Sequence, residues 1–354
     1  MSGVHQFVPL LHRGDAVGRH TLRLRDLFVA RGVPSRIYVE LVDPETVGET
    51  ELATVYPGHS EPGDVLLYQF ATASAMAPWL AARAETLVVN YHNITPPELL
   101  AAWDNQVALG QLRAGAELRT LAPRTALAIA DSAYNNEHLV AAGFVNSVVV
   151  PPSAALGDDI LGAAERVQRG GTGRGARWLS VGRVAPNKAL HETVIALMVA
   201  RAHRDPEATL LVVGKAAIAS YDAALRRFVA EMGLDDAVTF AGHASDAAVA
   251  AAYAQADVLV VTSQHEGFCV PVTEAMAVGL PVVAYAQGAL PEVLGAAGVL
   301  VDAVDPYGLA STIADLLEDP ARCRELAAAG RRQLAALDLA GAGDRLVDLV
   351  CALR

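Results

Sequence analysis

Asp257-Val258-Leu259-Val260-Val261-Thr262-Ser263-Gln264-His265-Glu266-Gly267-Phe268-Cys269-Val270-Pro271-Val272-Thr273-Glu274-Ala275-Met276-Ala277 decides how this chain is read. The first five residues have the apolar character of a buried strand, and Thr273–Ala277 has that of a helix. Pro271 suits a first helical turn, because the donor it lacks has no partner there in any case. In an open α/β domain, ligands bind at the carboxyl ends of strands, where helix amino termini aim backbone N–H groups at anions. Glu266 then lies on the loop and Glu274 about one turn into the helix, directed at the same crevice. Two carboxylates at an anion-binding position need a reason. Sugar hydroxyls supply one, since ionised carboxylates accept hydrogen bonds from diol-like groups.

Outward from this run the same alternation recurs in both halves of the chain. Strand-like runs fall at 4–11, 36–41, 65–70, 87–91, 126–130 and 147–150, with helical periodicity over 16–30, 74–84, 105–120 and 132–142. Pro151-Pro152 stops regular structure, and the glycine-rich stretch around 169–175 reads as a linker or mobile loop. Strands resume at 177–182, 209–213, 238–240, 257–261, 282–285 and 299–301. Strands alternating with helices predict parallel sheets built from βαβ units. A length of 354 residues predicts two domains. Their expected bounds are 1–152 and 177–340, joined by a linker over 153–176.

Hydrophobic residues make up 53% of the chain, enough for two substantial cores. No apolar run is long enough to span a bilayer and no secretory leader pattern opens the sequence, so a soluble, cytoplasmic protein is expected. A net charge of −12 argues against a general nucleic-acid or anionic-membrane surface, leaving at most peripheral membrane contact. A local basic group remains: Arg19, Arg23, Arg25 and Arg31 share one early helix. They read as a solvated face or as a contact for an anionic acceptor or lipid headgroup. The three cysteines, Cys269, Cys323 and Cys351, have no metal-binding or disulfide spacing. Cys269 reads as a small residue permitting close backbone approach.

A second constellation, Gly182-Arg183-Val184-Ala185-Pro186-Asn187-Lys188, follows a strand and precedes a helix near Ala189. An arginine can grip two phosphate oxygens at once and a lysine adds a compact charge, as a diphosphate requires. The chain has only two lysines, and the other, Lys215, also follows a strand. His92 closes the strand-like 87–91 run, in a loop fixed by Pro96-Pro97. Between the first strand and helix lies the loop Arg13-Gly14-Asp15-Ala16-Val17-Gly18, which is not a full dinucleotide fingerprint. Asp-x-Asp, the triplet of metal-dependent sugar-nucleotide sites, occurs nowhere in the sequence.

Glu266 and Glu274, with the Arg183 and Lys188 segment, resemble the E-x7-E and G-R-x(3–5)-K signatures of the retaining family-4 glycosyltransferases. That resemblance implies the GT-B fold, two Rossmann-like domains facing a cleft, with a last helix (here 341–353) crossing back to the first domain. It implies a nucleotide-sugar donor, UDP- or GDP-linked, a hydroxyl acceptor, and no metal or other cofactor. Arg183 and Lys188 would hold the diphosphate, Glu274 the ribose, and Glu266 with the backbone of Phe268, Cys269 and Val270 the sugar. His92 would assist near the reaction centre. Gly14 would approach the donor phosphates, with Lys215 a further donor contact and Asp15 on the acceptor side. Ala244 and Asp246 match the nucleobase edge, although Asp246 reads equally as a helix-start residue. Ser132 matches a serine that either caps its helix or touches an acceptor phosphate. Cys269 stands where the family commonly has glycine. A non-transferring enzyme of the same fold, such as a UDP-sugar epimerase, is the alternative. A nucleotide-dependent oxidoreductase or a silent sugar-binding protein fits the residues less well. Sugar, base, acceptor and oligomeric state are not fixed by these motifs.

Overall fold

A computed structural model of the chain describes residues 2–153, 162, 175–302 and 304–354. Most of the expected linker, including 169–174, lies outside the described residues. Two compact units emerge, one of residues 1–97, 106–155 and 338–354, the other of 98–105 and 156–337.

The first unit contains β1 (Val4–Leu10), α1 (Ala16–Ala30), β2 (Ile37–Leu41), β3 (Thr50–Leu52) and β4 (Val65–Phe70). It continues with α2 (Met76–Ala81), β5 (Thr86–Tyr91), α3 (Asn105–Leu121), β6 (Thr125–Ala130), α4 (Ala133–Ala141) and β7 (Ser147–Val149). Its seven strands are ordered β3-β2-β1-β4-β5-β6-β7 and pair in parallel. Every residue of β4 is buried, as expected of a central strand with both faces covered. β3 has no counterpart among the sequence-predicted strands, because Thr50-Glu51-Leu52 is not an apolar run.

The second unit contains β8 (Arg177–Val181), α5 (Leu190–His203), β9 (Thr209–Val213), α6 (Ala219–Glu231), β10 (Val238–Gly242) and α7 (Asp246–Gln255). There follow β11 (Val258–Val261), α8 (Val270–Ala277), β12 (Val282–Tyr285), α9 (Leu290–Leu294), β13 (Val299–Val301), α10 (Pro306–Leu317) and α11 (Pro320–Leu337). The sheet order is β10-β9-β8-β11-β12-β13, again parallel. Strand order reverses between β8 and β11 here, and between β1 and β4 in the first unit. Such reversals open a crevice at the strands' carboxyl ends.

Two stretches belong to the unit that lies apart from them in sequence. Residues 98–105 belong with the second unit. There the Trp103 ring meets Tyr221 edge-on at 5.0 Å, and Ser220 Oγ donates to the Trp103 carbonyl at 2.7 Å. The last helix, α12 (Leu339–Cys351), belongs to the first unit. Its buried Ala342, Leu346, Val347 and Val350 pack with Val4, Leu24 and Phe28. Each fully buried aliphatic side chain contributes roughly 1.5–3 kcal/mol. Arg31 adds ion pairs to Asp344 at 2.6 Å and Asp348 at 2.7 Å. Exposed pairs of this kind contribute about 0–1 kcal/mol, so the apolar face fixes the helix and the charges trim it. These contacts also redefine the basic group of α1: Arg31 is tied to α12 and Arg25 to Asp26 and Glu49.

Candidate active site

The second unit's crevice is built from the ends of β8 and β11. After β8 the backbone turns at Gly182, with φ +140°, and its carbonyl lies so close to Gly214 that a Cβ there would sit 1.9 Å from it. Only glycine fits at Gly214. Val184 N–H donates to the Lys215 carbonyl at 2.8 Å, tying the Arg183 loop to the end of β9. A single 3-10 turn, Pro186–Lys188, leads through a left-handed Ala189 into α5. Gln264 N–H donates to the Asn187 carbonyl at 2.8 Å, which fastens this turn to the loop after β11.

That closure brings the two constellations together. Lys188 Nζ donates to Glu266 Oε1 at 2.5 Å, with both side chains mostly buried. Arg183, Lys188, Glu266 and Cys269 line one pocket, along with Ser180 and Ser263. The Glu266 backbone is gripped from behind: Ala289 N–H donates to its carbonyl at 2.9 Å. A Cβ on Gly288 would stand 2.4 Å from that same oxygen.

Helix α8 begins at Val270, three residues earlier than the helix-like run suggested, and Cys269 precedes it with φ 75° and ψ 73°. This left-handed conformation is the one glycine adopts at no steric cost. Burial, with Glu266 next in effect, pushes the Cys269 thiol well above its ordinary range. The thiol therefore stays protonated and is not a nucleophile. Glu274, a little over one turn into α8, accepts from the buried Tyr253 hydroxyl at 2.8 Å. Tyr253 locks the carboxylate in place without neutralising it. Phe268 is buried beside Cys269.

The other candidates are placed as follows. Lys215 is exposed and meets the site only through the backbone of its turn. Ala244 and Asp246 precede and begin α7, but the cap is Ser245, whose hydroxyl accepts from Ala248 N–H at 3.3 Å. Gly14 sits in an exposed turn. Asp15 caps α1 by accepting from Gly18 N–H at 2.7 Å. Ser132 is buried and caps α4, accepting from Asn135 N–H at 3.0 Å. His92, in the first unit, has both ring nitrogens engaged: Nδ1 lies 2.9 Å from Asp131 Oδ2 and Nε2 lies 2.7 Å from Gln69 Oε1.

Tyr253, Gln69 and Asp131 were not singled out from the sequence. Tyr253 carried no signal there. Gln69 carried one: an amide within the apolar strand Val65-Leu66-Leu67-Tyr68-Gln69-Phe70 must find buried partners.

Comparison with known proteins shows what the chain is similar to. Residues 165–333 match the model described as glycosyl transferases group 1. One relative, an MMP alpha-(1->4)-mannosyltransferase of Mycolicibacterium hassiacum, is 41% identical over 110 residues, 30% of this chain and 27% of that protein. A D-inositol 3-phosphate glycosyltransferase of Segniliparus rotundus is 35% identical over 187 residues, 51% of this chain and 41% of that one. The chain thus spans less than half the length of the curated relatives it matches. Among solved structures, Anabaena HepE in complex with UDP and glucose superposes with a TM-score of 0.78 at 19% identity, covering 99% of this chain and 100% of that one. The two parallel-sheet units together have the GT-B fold. Most of the residues that match the group 1 model lie in the second of them.

Proposed function

We propose that the chain is a retaining, family-4-type glycosyltransferase, moving a hexose-type sugar from a UDP- or GDP-sugar to a hydroxyl acceptor without a metal. One observation carries the reading: Arg183, Lys188 and Glu266 line a single pocket at the strand-order reversal, with Glu274 held on the adjoining helix. A relative named for mannosyl transfer from GDP-mannose, and neighbours solved with UDP and UDP-glucose, support this donor class.

In this reading Arg183 and Lys188 grip the diphosphate and stabilise it as it leaves, the work of charged donors preorganised for a developing negative charge. Lys188 exchanges Glu266 for phosphate when the donor enters. Glu266, released, accepts from sugar hydroxyls and faces the positive charge that grows on the sugar. Glu274 accepts from the ribose. The acceptor attacks on the face the diphosphate leaves, and a phosphate oxygen takes its proton, so the anomeric configuration is kept. His92 belongs to the reaction centre, and Gly14, Lys215, Ala244 and Asp246 to the donor's periphery.

A thermal-shift panel of nucleotide sugars tests this directly, because a ligand that binds only the native state raises the melting temperature. UDP- or GDP-sugars should raise it, and the best of them should transfer to an added hydroxyl acceptor with EDTA present. No shift with any nucleotide sugar overturns the reading. Loss of transfer in EDTA, restored by Mg²⁺ or Mn²⁺, overturns its metal-free part. Inversion of the sugar without an acceptor would make the protein an epimerase.

A further inference from the structure

A row of fully buried amides crosses the first unit's sheet: Gln6 on β1, Gln69 on β4 and Asn90 on β5. Their hydrogen bonds have a direction, and a backbone group sets it. Gln6 Nε2 donates to the Thr21 carbonyl at 2.8 Å, so Gln6 Oε1 is the atom that faces Gln69. Gln69 Nε2 donates to it at 2.8 Å. Gln69 Oε1 is thereby turned towards His92 Nε2, at 2.7 Å, and towards Asn90 Nδ2, at 3.0 Å, which also lies 2.7 Å from His20 Nε2. An amide oxygen only accepts, so His92 Nε2 carries a proton.

The ring's other side asks for a second proton. Nδ1 lies 2.9 Å from Asp131 Oδ2, and a bare nitrogen lone pair held against a carboxylate would be repelled. Asp131 is buried, and its other oxygen has no partner among the described residues, so its charge depends on this one contact. A buried charge without an opposite charge is costly.

We propose that Gln69 and Asp131 are positioning residues that hold His92 as a two-donor imidazolium, a fixed cation at the carboxyl end of β5. Its role in catalysis rests on the glycosyltransferase reading; the two ring protons do not. Three groups face the ring: Gln69 from β4, Asp131 from the end of β6, and His20 from α1, whose ring lies edge-on at 5.3 Å. Burial, then the charge of His92, lowers the proton affinity of His20 well below that of an ordinary histidine, so this neighbour adds no competing cation. Held this way, His92 cannot act as a general base. Both of its donors are spent on Gln69 and Asp131, and what it contributes is a positive field.

The test uses the free full-length protein, labelled with ¹⁵N in histidine. At neutral pH both ring nitrogens of His92, assigned by their loss in His92→Asn or by contacts to Tyr91, should show the protonated signature with attached hydrogens. An unprotonated Nδ1 or Nε2 overturns the proposal. Asp131→Asn keeps the shape and removes the charge, so the ring should revert to one proton, on Nε2. In transfer assays kcat should fall about ten- to hundredfold, with KM for the donor unchanged, as loss of one charged hydrogen-bond partner implies. Transfer by Asp131→Asn at the wild-type rate overturns the positioning role even if the spectrum is as expected. Should no nucleotide sugar be turned over by the wild type, the enzyme reading fails, while the spectrum still decides the state of the ring.

Discussion

The two units place polar side chains at the same point of the same architecture, the strand ends beside a reversal of order, but with opposite materials. In the second unit the groups are charged and stand on loops and a helix start: Arg183 is exposed and Lys188 half-buried, while Glu266 and Glu274 are buried beside them. In the first they are neutral amides on the strands themselves, fully buried, ending in one histidine and one aspartate. Groups of the first kind are available to a ligand and do little for the fold. Groups of the second kind are committed to one another, and the fold depends on them. The difference predicts which substitutions damage binding and which damage stability.

The largest effect should follow from the charged set. Arg183→Ala and Lys188→Ala should each weaken binding of UDP or GDP and of the sugar nucleotide about ten- to hundredfold, since a charge-assisted hydrogen bond is worth roughly 1.5–3 kcal/mol. Arg183→Ala should leave the melting temperature in place, because the side chain is exposed. Calorimetric titration of both variants checks this, and unchanged affinity in both would remove the phosphate site.

Next come the carboxylates, which should differ in kind. Glu274→Gln should weaken the free nucleotide and the donor alike, because its partner is the ribose. Glu266→Gln should lower turnover, since only interactions strengthened in the transition state speed the chemical step. Its effect on nucleotide affinity has a sign: Glu266 holds Lys188 at 2.5 Å in the free protein, so its neutral replacement releases the lysine to the phosphates. Nucleotide affinity should hold or rise. A drop matching that of Glu274→Gln would show that the two carboxylates do not have separate roles.

How much was legible follows the same line. Arginine, lysine and glutamate at strand ends stand out of an alanine- and valine-rich sequence, and their spacing carries meaning because a loop and one helical turn set it. Helix α1 could be bounded from its periodicity, and strands β4, β9, β12 and β13 from their apolar runs. The amide row could not be read. Gln6, Gln69 and Asn90 lie far apart in sequence and meet only through strand register, in which Gln69 stands opposite Asn90. The Lys188–Glu266 pair was hidden for the same reason, and residues 98–105 gave no sign that they belong with the second unit.

Breaking the amide row should therefore cost stability and spare nucleotide binding. Gln69→Leu leaves Gln6 Oε1 and His92 Nε2 without their partner, while Asn90 Nδ2 keeps its contact with His20 Nε2 at 2.7 Å. A buried group left unsatisfied costs about 1–3 kcal/mol, and denaturant unfolding should show a loss of that order. The same region should respond to acid. His20 is held neutral in the fold, while in the unfolded chain it takes up a proton near the ordinary value of about 6.5. Unfolding then binds protons as the pH falls below about 6.5, so the stability His20 contributes is complete above that value and lost progressively beneath it. His5, His138 and His191, all shifted downward chiefly by burial, act in the same direction. A midpoint in urea that does not fall between neutral pH and pH 5 would contradict this.

The smallest effect lies where the charged site meets the backbone that carries it. Cys269 holds a left-handed conformation at the start of α8, with φ 75°, which costs a non-glycine residue about 1–2 kcal/mol. Cys269→Gly relieves that strain. It also frees the unfolded chain by about 0.5–1 kcal/mol and gives up a small buried side chain, so the terms oppose each other. The net change in stability should stay within about 1 kcal/mol, and nucleotide affinity should be unaltered. Cys269→Val has no such compensation, because a β-branched residue is a genuine outlier at positive φ, and it should destabilise clearly. Because burial keeps the thiol protonated, native protein should resist alkylation at Cys269 near neutral pH and react there only on unfolding. Mass spectrometry after iodoacetamide treatment reads this site by site. Rapid native labelling of Cys269 would mean that its pocket is open enough for thiolate to form, and that the left-handed turn is not the closed support for Glu266 and Glu274 described above.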